Sequence, residues 1–246
     1  MFVQGIDIPE GIDPPDPTLW PYSVPAVKGL LSEPLEFRAP ITFLVGENGS
    51  GKSTLVEGVA EAYGLDARGG RAGRKYANNR PKGILGQRLR LDLTQRGARQ
   101  KQAKRRAQKG YFLRAETTFG LAEAVSGLPG YWEENLAEHS HGEGFLIILQ
   151  RMFDEPGLYL MDEPEAALSF MSCLQLVGFM HDLAESGSQV ICATHSPLLS
   201  ALPDADVIEV GDHGARRTKW GELEMVDHWR RYMADPTRYL RHIVDS

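Results

Sequence analysis

No stretch of this 246-residue sequence approaches the roughly 18 to 20 uninterrupted apolar residues that a membrane-spanning helix needs. The opening "MFVQGIDIPE" also lacks the basic region and apolar core of a secretion signal. A soluble, cytoplasmic chain with no membrane insertion is therefore expected. Cysteine is scarce. The two present, Cys173 and Cys192, lie among apolar neighbours and in no CxxC or His-rich spacing. That argues against a disulfide framework or a zinc-type centre and leaves buried free thiols as the expectation. Sustained heptads are missing too, which argues against a long coiled-coil tether. Acidic residues are almost missing from one segment: residues 68–110 hold 15 Lys or Arg against the single Asp92. The net charge of −6 hides this asymmetry, because the rest of the chain carries 12 basic and 32 acidic residues. Such a block reads as a solvated basic insertion, spanning about residues 66–110, or as a surface for a nucleic-acid backbone or an acidic partner.

What is present suits one α/β domain over residues 1–246, since 42% hydrophobic residues in a chain of this length supply a substantial core. "FVQGIDI", "LEFRA" and "ITFLVG" read as strands, with a Pro-rich stretch from Pro9 to Pro25 between the first two. A helical pattern runs from Gly51 to about Tyr63 and stops at Gly64. "RQKQAKRRAQK" suggests a polar helix, and "GYFLRAETTF" resumes ordered structure. From Glu143 the order is helix, strand "GLYLMD", helix "LSFMSCLQLVGFMHDLAE", strand "QVICAT", short helix, strand "DVIEV". Helices alternating with continuously apolar strands imply a parallel sheet covered on both faces. The tail from Leu223 to Val244 reads as two helices broken near Asp235 and Pro236.

Three stretches carry chemistry. "GENGSGKS", Gly46 to Ser53, follows a strand and opens a helix, the context required by the phosphate-binding pattern G-x-x-x-x-G-K-[ST]. Gly46, Gly49 and Gly51 let the loop turn so that the amides of Glu47, Asn48, Ser50 and their neighbours face a polyphosphate at a helix start. Lys52 should reach the β- and γ-phosphates, Ser53 should hold Mg2+, and Thr54 should support the phosphates. "GLYLMDEPE" ends a buried strand in carboxylates: Asp162 for Mg2+, Glu163 to polarise an attacking water. "ATHSP" ends the next strand, so His195 projects from the same sheet edge toward the γ-phosphate. A fourth stretch, "EHSHGEGFLIIL", has Ser140 three residues ahead of Glu143 and an apolar run after it, which matches a helix capping box.

In this order, "GENGSGKST", "SHGEG", "LYLMDEPEAALS" and "ATHSP" resemble the ABC-type ATPases, and among them the small soluble bacterial AAA-family ATPases related to SMC, Rad50 and OLD-type enzymes. The resemblance covers about Gly5 to Val210. It implies a P-loop NTPase fold with a mostly parallel sheet flanked by helices and an antiparallel N-terminal β portion. It also implies ATP and Mg2+ as ligands and a homodimer that closes on two ATP molecules. By position, Ser140 and Gly142 fall in the signature turn that would contact the partner's nucleotide, and "PEAALS" in the loop that crosses the interface. His141 and Glu143 depart from the Gly and Gln of transporter-type signatures, which disfavours a transporter subunit. Glu116 in "FLRAE" stands where such ATPases place a lid glutamine near the metal. Trp20 and Tyr22 are candidates for stacking on adenine or for ordinary packing. The expected role is an ATPase coupled to nucleic-acid transactions such as repair or phage defence, with DNA or RNA on segment 68–110. The alternatives are an ATP-gated switch for a partner encoded nearby, such as a toxin or nuclease, and a transporter subunit.

Overall fold

Ile41–Val45 is buried at every position, as a strand covered on both faces must be. The structure is a computed structural model and describes the chain except residues 10, 12–13, 73–81, 105–106, 115–140, 154, 167 and 245–246. The N-terminal half contains β1 (Val3–Asp7), α1 (Pro25–Lys28), β2 (Leu35–Glu36), β3 (Ile41–Val45), α2 (Lys52–Tyr63), β4 (Gly70–Arg71), α3 (Ile84–Arg88), β5 (Arg90–Leu93), α4 (Gln95–Gln102) and β6 (Gly110–Arg114). There follow α5 (His141–Met152), β7 (Leu158–Asp162), α6 (Phe170–Glu185), β8 (Gln189–Thr194), β9 (Asp206–Gly211), β10 (Gly214–Arg217), α7 (Glu224–Ala234) and α8 (Thr237–Val244).

Seven strands form one sheet in the order β10-β9-β3-β8-β7-β6-β4. The five inner strands are parallel and the two edges pair antiparallel. A second, antiparallel sheet has the order β2-β1-β5. Alternation within each inner strand sorts its side chains into two cores. Leu44, Leu158, Leu160, Ile191 and Ala193 face one side, where α2 and the small sheet pack. Phe43, Tyr159, Met161, Val190 and Cys192 face the other, against α5 and α6. With both faces apolar, the strands read as unbroken hydrophobic runs. Cys173 and Cys192 are buried free thiols, as expected.

The basic segment is more integrated than an insertion. β5 pairs with β1, and β4 with β6. Leu85 and Leu89 enter the core, Leu85 filling the room left by Gly58, where a Cβ would lie 2.7 Å from its Cδ2. The buried Glu61 carboxylate accepts from Gly83 N at 2.8 Å. The polar helix starts earlier than expected: Thr94 caps α4, its Oγ1 accepting from Gly97 N at 3.0 Å. Gly97 has to lack a side chain, since a Cβ there would sit 1.9 Å from Phe2 O. The Pro-rich stretch ends in an unanticipated short helix, α1, because Pro25 at its first position has no N–H to leave unsatisfied. The tail forms two helices separated at Asp235 and Pro236, as the sequence suggested.

Gln189 joins the two sheets. It is fully buried, its Oε1 accepts from Phe2 N at 2.6 Å and Val3 N at 2.8 Å, and its Nε2 donates to Val3 O at 2.8 Å. Replacing it leaves buried backbone groups without partners, at about 1–3 kcal/mol each. Gln189→Ala should therefore lower unfolding free energy by about 3 kcal/mol or more in urea titrations, whereas Gln87→Ala, whose exposed side chain bonds only Lys82 O, should cost under about 1 kcal/mol.

Candidate functional site

The register of the inner strands brings their C-terminal ends level. Val45 aligns with Thr194 and Glu209, Ala193 with Asp162, and Asp162 with Arg114. The loop after β3, His195 after β8, and Asp162 with Glu163 at β7 therefore stand in a row. The strand between β3 and β7 sets them apart by two strand spacings of ~4.8 Å.

The loop fits the reason its glycines were singled out. A Cβ at Gly46 would lie 2.1 Å from Val210 O, so only glycine passes against β9. Gly51 has φ +89 and would meet Val24 Cγ2 at 2.4 Å. Gly49, at φ +85, turns the tip in open space. Ala26 N donates to Ser50 O at 2.9 Å and anchors the loop to α1. α2 then begins at Lys52 with no side-chain cap, so its first amides keep their hydrogens for an outside acceptor. Ser53 and Thr54 lie half-buried in this first turn.

Lys52 is 3% exposed. Its Nζ donates to Gly46 O at 2.7 Å, Glu47 O at 2.8 Å and Ser50 Oγ at 3.4 Å, which places the ammonium inside the loop. Burial pulls its pKa below the usual lysine range, while Glu163, Asp162, Glu165 and Glu47 act in the opposite sense. Asp162 is buried at the end of β7. Glu163 follows in the left-handed region, φ 49, with its N–H donating to Ala193 O at 2.9 Å. His195 Nδ1 lies 3.5 Å from Glu163 Oε1 and 3.8 Å from Glu165 Oε1. The side chains of Glu163 and His195 are 32% and 46% exposed.

Two residues of this row escaped the sequence reading. Glu165 is buried, and its Oε1 accepts from the Thr194 hydroxyl and, at 3.1 Å, from His195 N. It fixes the backbone that presents the imidazole. Its signal was a second carboxylate within one strand-to-helix turn, "DEPE". Arg114 ends β6 with its Nε 3.9 Å from Asp162 Oδ2, and its Nη1 donates to Ala67 O at 3.2 Å. In "FLRAE" the arginine is the residue brought to Asp162, while Glu116 lies outside the described residues. Ser140 also lies outside them. Gly142 lies in α5, and the capping pattern, which rests on Ser140, falls outside the described residues. Tyr22 is 6% exposed within a core, and Trp20 is 63% exposed.

These groups suit a polyphosphate: uncapped amides and an ammonium facing a row of carboxylates and one imidazole. The donor set fits Mg2+ as well. Ser53 and Asp162 offer hard oxygens, and Mg2+ asks for one or two protein oxygens beside phosphate and water. Among the described residues no group of three or more His, Cys, Asp or Glu forms a metal cage, which is compatible with that mode.

A family model described as "AAA domain" matches residues 27–122, and one described as "AAA domain, putative AbiEii toxin, Type IV TA system" matches residues 144–201. The first span contains the Gly46–Thr54 loop and the second contains Asp162, Glu163 and His195. The solved structure described as "An inward-facing conformation of a putative metal-chelate type ABC transporter" superposes with a TM-score of 0.50 over 95% of this chain and 89% of that one, at 13% identity. The chain has the fold of a P-loop nucleotide-binding domain of the ABC type, and its two motif-bearing stretches are similar to AAA domains. Curated relatives include the ATP-dependent permease PDR12 of Saccharomyces cerevisiae, 26% identical over 226 residues, which are 82% of this chain and 15% of the permease. The macrolide export ATP-binding/permease protein MacB of Escherichia coli O157:H7 is 34% identical over 87 residues, 35% of this chain and 13% of MacB. The chain thus spans about 15% or less of the length of these relatives. Among its described residues no helix is long and apolar enough to cross a membrane.

The loop geometry makes a graded prediction. Gly46→Ala should abolish Mg-ATP binding in equilibrium dialysis and cost about 1–3 kcal/mol of stability, because the methyl group meets backbone. Gly49→Ala meets nothing and should cost only the left-handed strain, about 1–2 kcal/mol.

Proposed function

We propose that this domain binds Mg-ATP, closes as a homodimer around two nucleotides and hydrolyses them, and that the cycle serves a transaction on nucleic acid. The observation that carries the hydrolytic reading is the row of Lys52, Glu163 and His195 on adjacent strand ends, with Glu163 and His195 open to solvent in the single chain. Hydrolysis of a phosphoanhydride needs bulk water excluded while one water is retained. A second chain laid over this edge would supply that exclusion, and the resemblance puts its Ser140 and Gly142 there.

In this mechanism the Lys52 ammonium exchanges its bonds to Gly46 O, Glu47 O and Ser50 Oγ for β- and γ-phosphate oxygens, and the amides of residues 47–53 take up the remaining charge. Ser53 and Asp162 would hold Mg2+, which when bound neutralises charge on the phosphates. Arg114 keeps the Asp162 carboxylate oriented. Glu163 accepts a proton from water as its oxygen bonds the γ-phosphorus and the bond to the ADP oxygen breaks. His195 orients that water and the γ-phosphate, with Glu165 fixing its main chain.

The basic segment supports the nucleic-acid part. Some of its cations have structural work: Arg90 pairs with Asp7 at 2.8 Å, Lys109 with Glu155 at 2.5 Å, and Arg96 donates to Gly187 O at 2.9 Å while its guanidinium lies 4.7 Å from the Phe2 ring centre. Lys82, Arg99, Lys101 and Lys104 stand exposed. Partial desolvation of its ammonium, and to a smaller extent the charge of Lys82, draw Lys101 below the usual lysine range. A second reading, an ATP-gated switch on a partner protein, is favoured by the description of one matching family, which names a toxin and a type IV TA system. ATP-dependent copurification of a protein, indifferent to nuclease treatment, would select it. Transporter coupling draws on the curated relatives and on the fold shared with a transporter structure, and the departures at His141 and Glu143 weigh against it.

Two measurements test the proposal. Lys52→Ala should abolish Mg-ATP binding, whereas Glu163→Gln should retain binding, lower turnover by about 10²- to 10⁴-fold, and elute as a dimer in Mg-ATP during gel filtration. A monomer under saturating Mg-ATP, or a wild-type rate per chain independent of dilution, would refute dimer closure. Charge reversal of Arg99, Lys101 and Lys104 should weaken DNA or RNA binding and reduce the slope of log K against log salt by about 2 to 3. An unchanged slope would remove the nucleic-acid part and leave the switch.

A further inference from the structure

The last two helices carry an apolar face that the described residues leave open. α7 starts from Leu223 and Val226, which are buried in the core on the α5 and α6 side. One and two turns further on, the same stripe continues as Trp229 and Met233, and α8 presents Leu240, Ile243 and Val244 at i, i+3 and i+4. These last five side chains are 41% to 74% exposed. The two helices are nevertheless fixed to each other. Asp235 Oδ1 accepts from Thr237 N at 3.1 Å at the turn, His228 Nδ1 meets the Tyr239 hydroxyl at 3.0 Å, and the Tyr232 and Tyr239 rings meet edge-on with centres 5.8 Å apart. The result is a stiff arm, which loses little freedom on docking.

We propose that this arm is a self-pairing surface: the arms of two copies meet antiparallel, apolar face to apolar face, with Glu224 of each near Arg238 of the other. This contact needs no nucleotide and goes beyond the closure proposed above. Size is the first argument. Five large side chains exposed to this degree offer on the order of 1,000 Å² in total when two such faces meet, the lower bound of a specific interface. The pairing is accordingly weak and reversible, and dilute chains separate.

Charge selects the occupant. Glu224 and Asp227 lie at the base of the arm, whereas Arg230, Arg231 and Arg238 lie toward its turn. A uniformly anionic surface such as a lipid bilayer suits only the second end. A second arm laid antiparallel suits both, since base meets turn in each direction, as a two-fold contact requires. A parallel arrangement would set like charge against like. Glu224 and Arg238 are both exposed and available for this contact. The arm also rises beside the phosphate loop, because Glu224 and His228 line one cleft with Gly46, Ser50 and His195. Arm pairing would thus bring a second chain to the edge that nucleotide closure would cover.

Sedimentation velocity of the nucleotide-free full chain at increasing concentration tests the proposal. The wild-type protein should shift from one chain toward two, and Lys52→Ala should do the same, which separates this contact from nucleotide binding. Met233→Glu with Ile243→Glu should raise the dissociation constant about tenfold or more and leave the melting temperature unchanged, because both side chains are exposed. Phe170→Glu with Met171→Glu, in the exposed apolar start of α6, should leave the association intact. Arg238→Glu should weaken it, and Glu224→Arg in the same chain should restore it. A wild-type chain that stays monomeric at every concentration would overturn the proposal, as would association lost with the α6 variant and kept with the arm variant. Flotation of the monomer with phosphatidylglycerol vesicles would assign the face to lipid instead. Absence of Mg-ATP binding would sink the closure reading and leave this one standing.

Discussion

One buried ammonium organises the site. Lys52 reaches a place that water barely enters, and burial alone would favour its neutral form. The opposing pull comes from carboxylates on three different segments: Glu47 of the loop, Asp162 at the end of β7, and Glu163 and Glu165 in the turn after it. None of these can move far without changing the electrostatic balance of the others. A triphosphate bound as proposed would meet a cation already dehydrated and already held by carbonyl oxygens, so little reorganisation would be needed to transfer its bonds. The same arrangement explains why the carboxylates can lie close together: the ammonium offsets part of the repulsion that would otherwise raise their cost.

The order of the strands makes this arrangement possible. Because β8 lies between β3 and β7, the lysine loop and the Asp162–Glu163 turn are separated by the width of one strand end, and that strand end carries His195. The two-sided core keeps the row level. Residues alternate between a face covered by α2 and the small sheet and a face covered by α5 and α6. A shift of one residue in any inner strand would exchange the two apolar sets and also move its C-terminal end by ~3.3 Å. Packing and chemistry therefore constrain the same register.

Much of this was legible in the chain itself. The glycine spacing of residues 46–51, the strand before it and the helix after it are local signals, and so are the carboxylates that close "LYLMD". The parallel sheet followed from strands apolar at every position alternating with helices. The basic segment was harder to read. Its charge obscured the apolar residues Leu85 and Leu89, and its strand β5 is recognisable only through its partner β1, more than eighty residues away. Glu165 and Arg114 were missed for a similar reason, since their roles depend on neighbours across the sheet rather than along it. The packing of α7 beside the loop depends on Glu224 N donating to Glu209 of β9, a contact that no short pattern encodes.

Glu163 holds the point where conformational preference and chemistry conflict. Its left-handed backbone costs about 1–2 kcal/mol relative to ordinary geometry, a cost glycine would avoid. Two constraints keep a carboxylate there. Its amide extends the β7–β8 ladder one step past Asp162 by donating to Ala193 O, so the chain must turn immediately after that bond. The turn then directs Glu163 toward His195, at 3.5 Å, and gives Glu165, two residues on, the buried position from which it grips Thr194 and His195. A relaxed extended or helical residue at 163 would keep the ladder bond or the aim of the carboxylate, but would not send the chain back toward Thr194. The strain is thus stored where the structure over-determines it, in a turn whose two acids face the same imidazole.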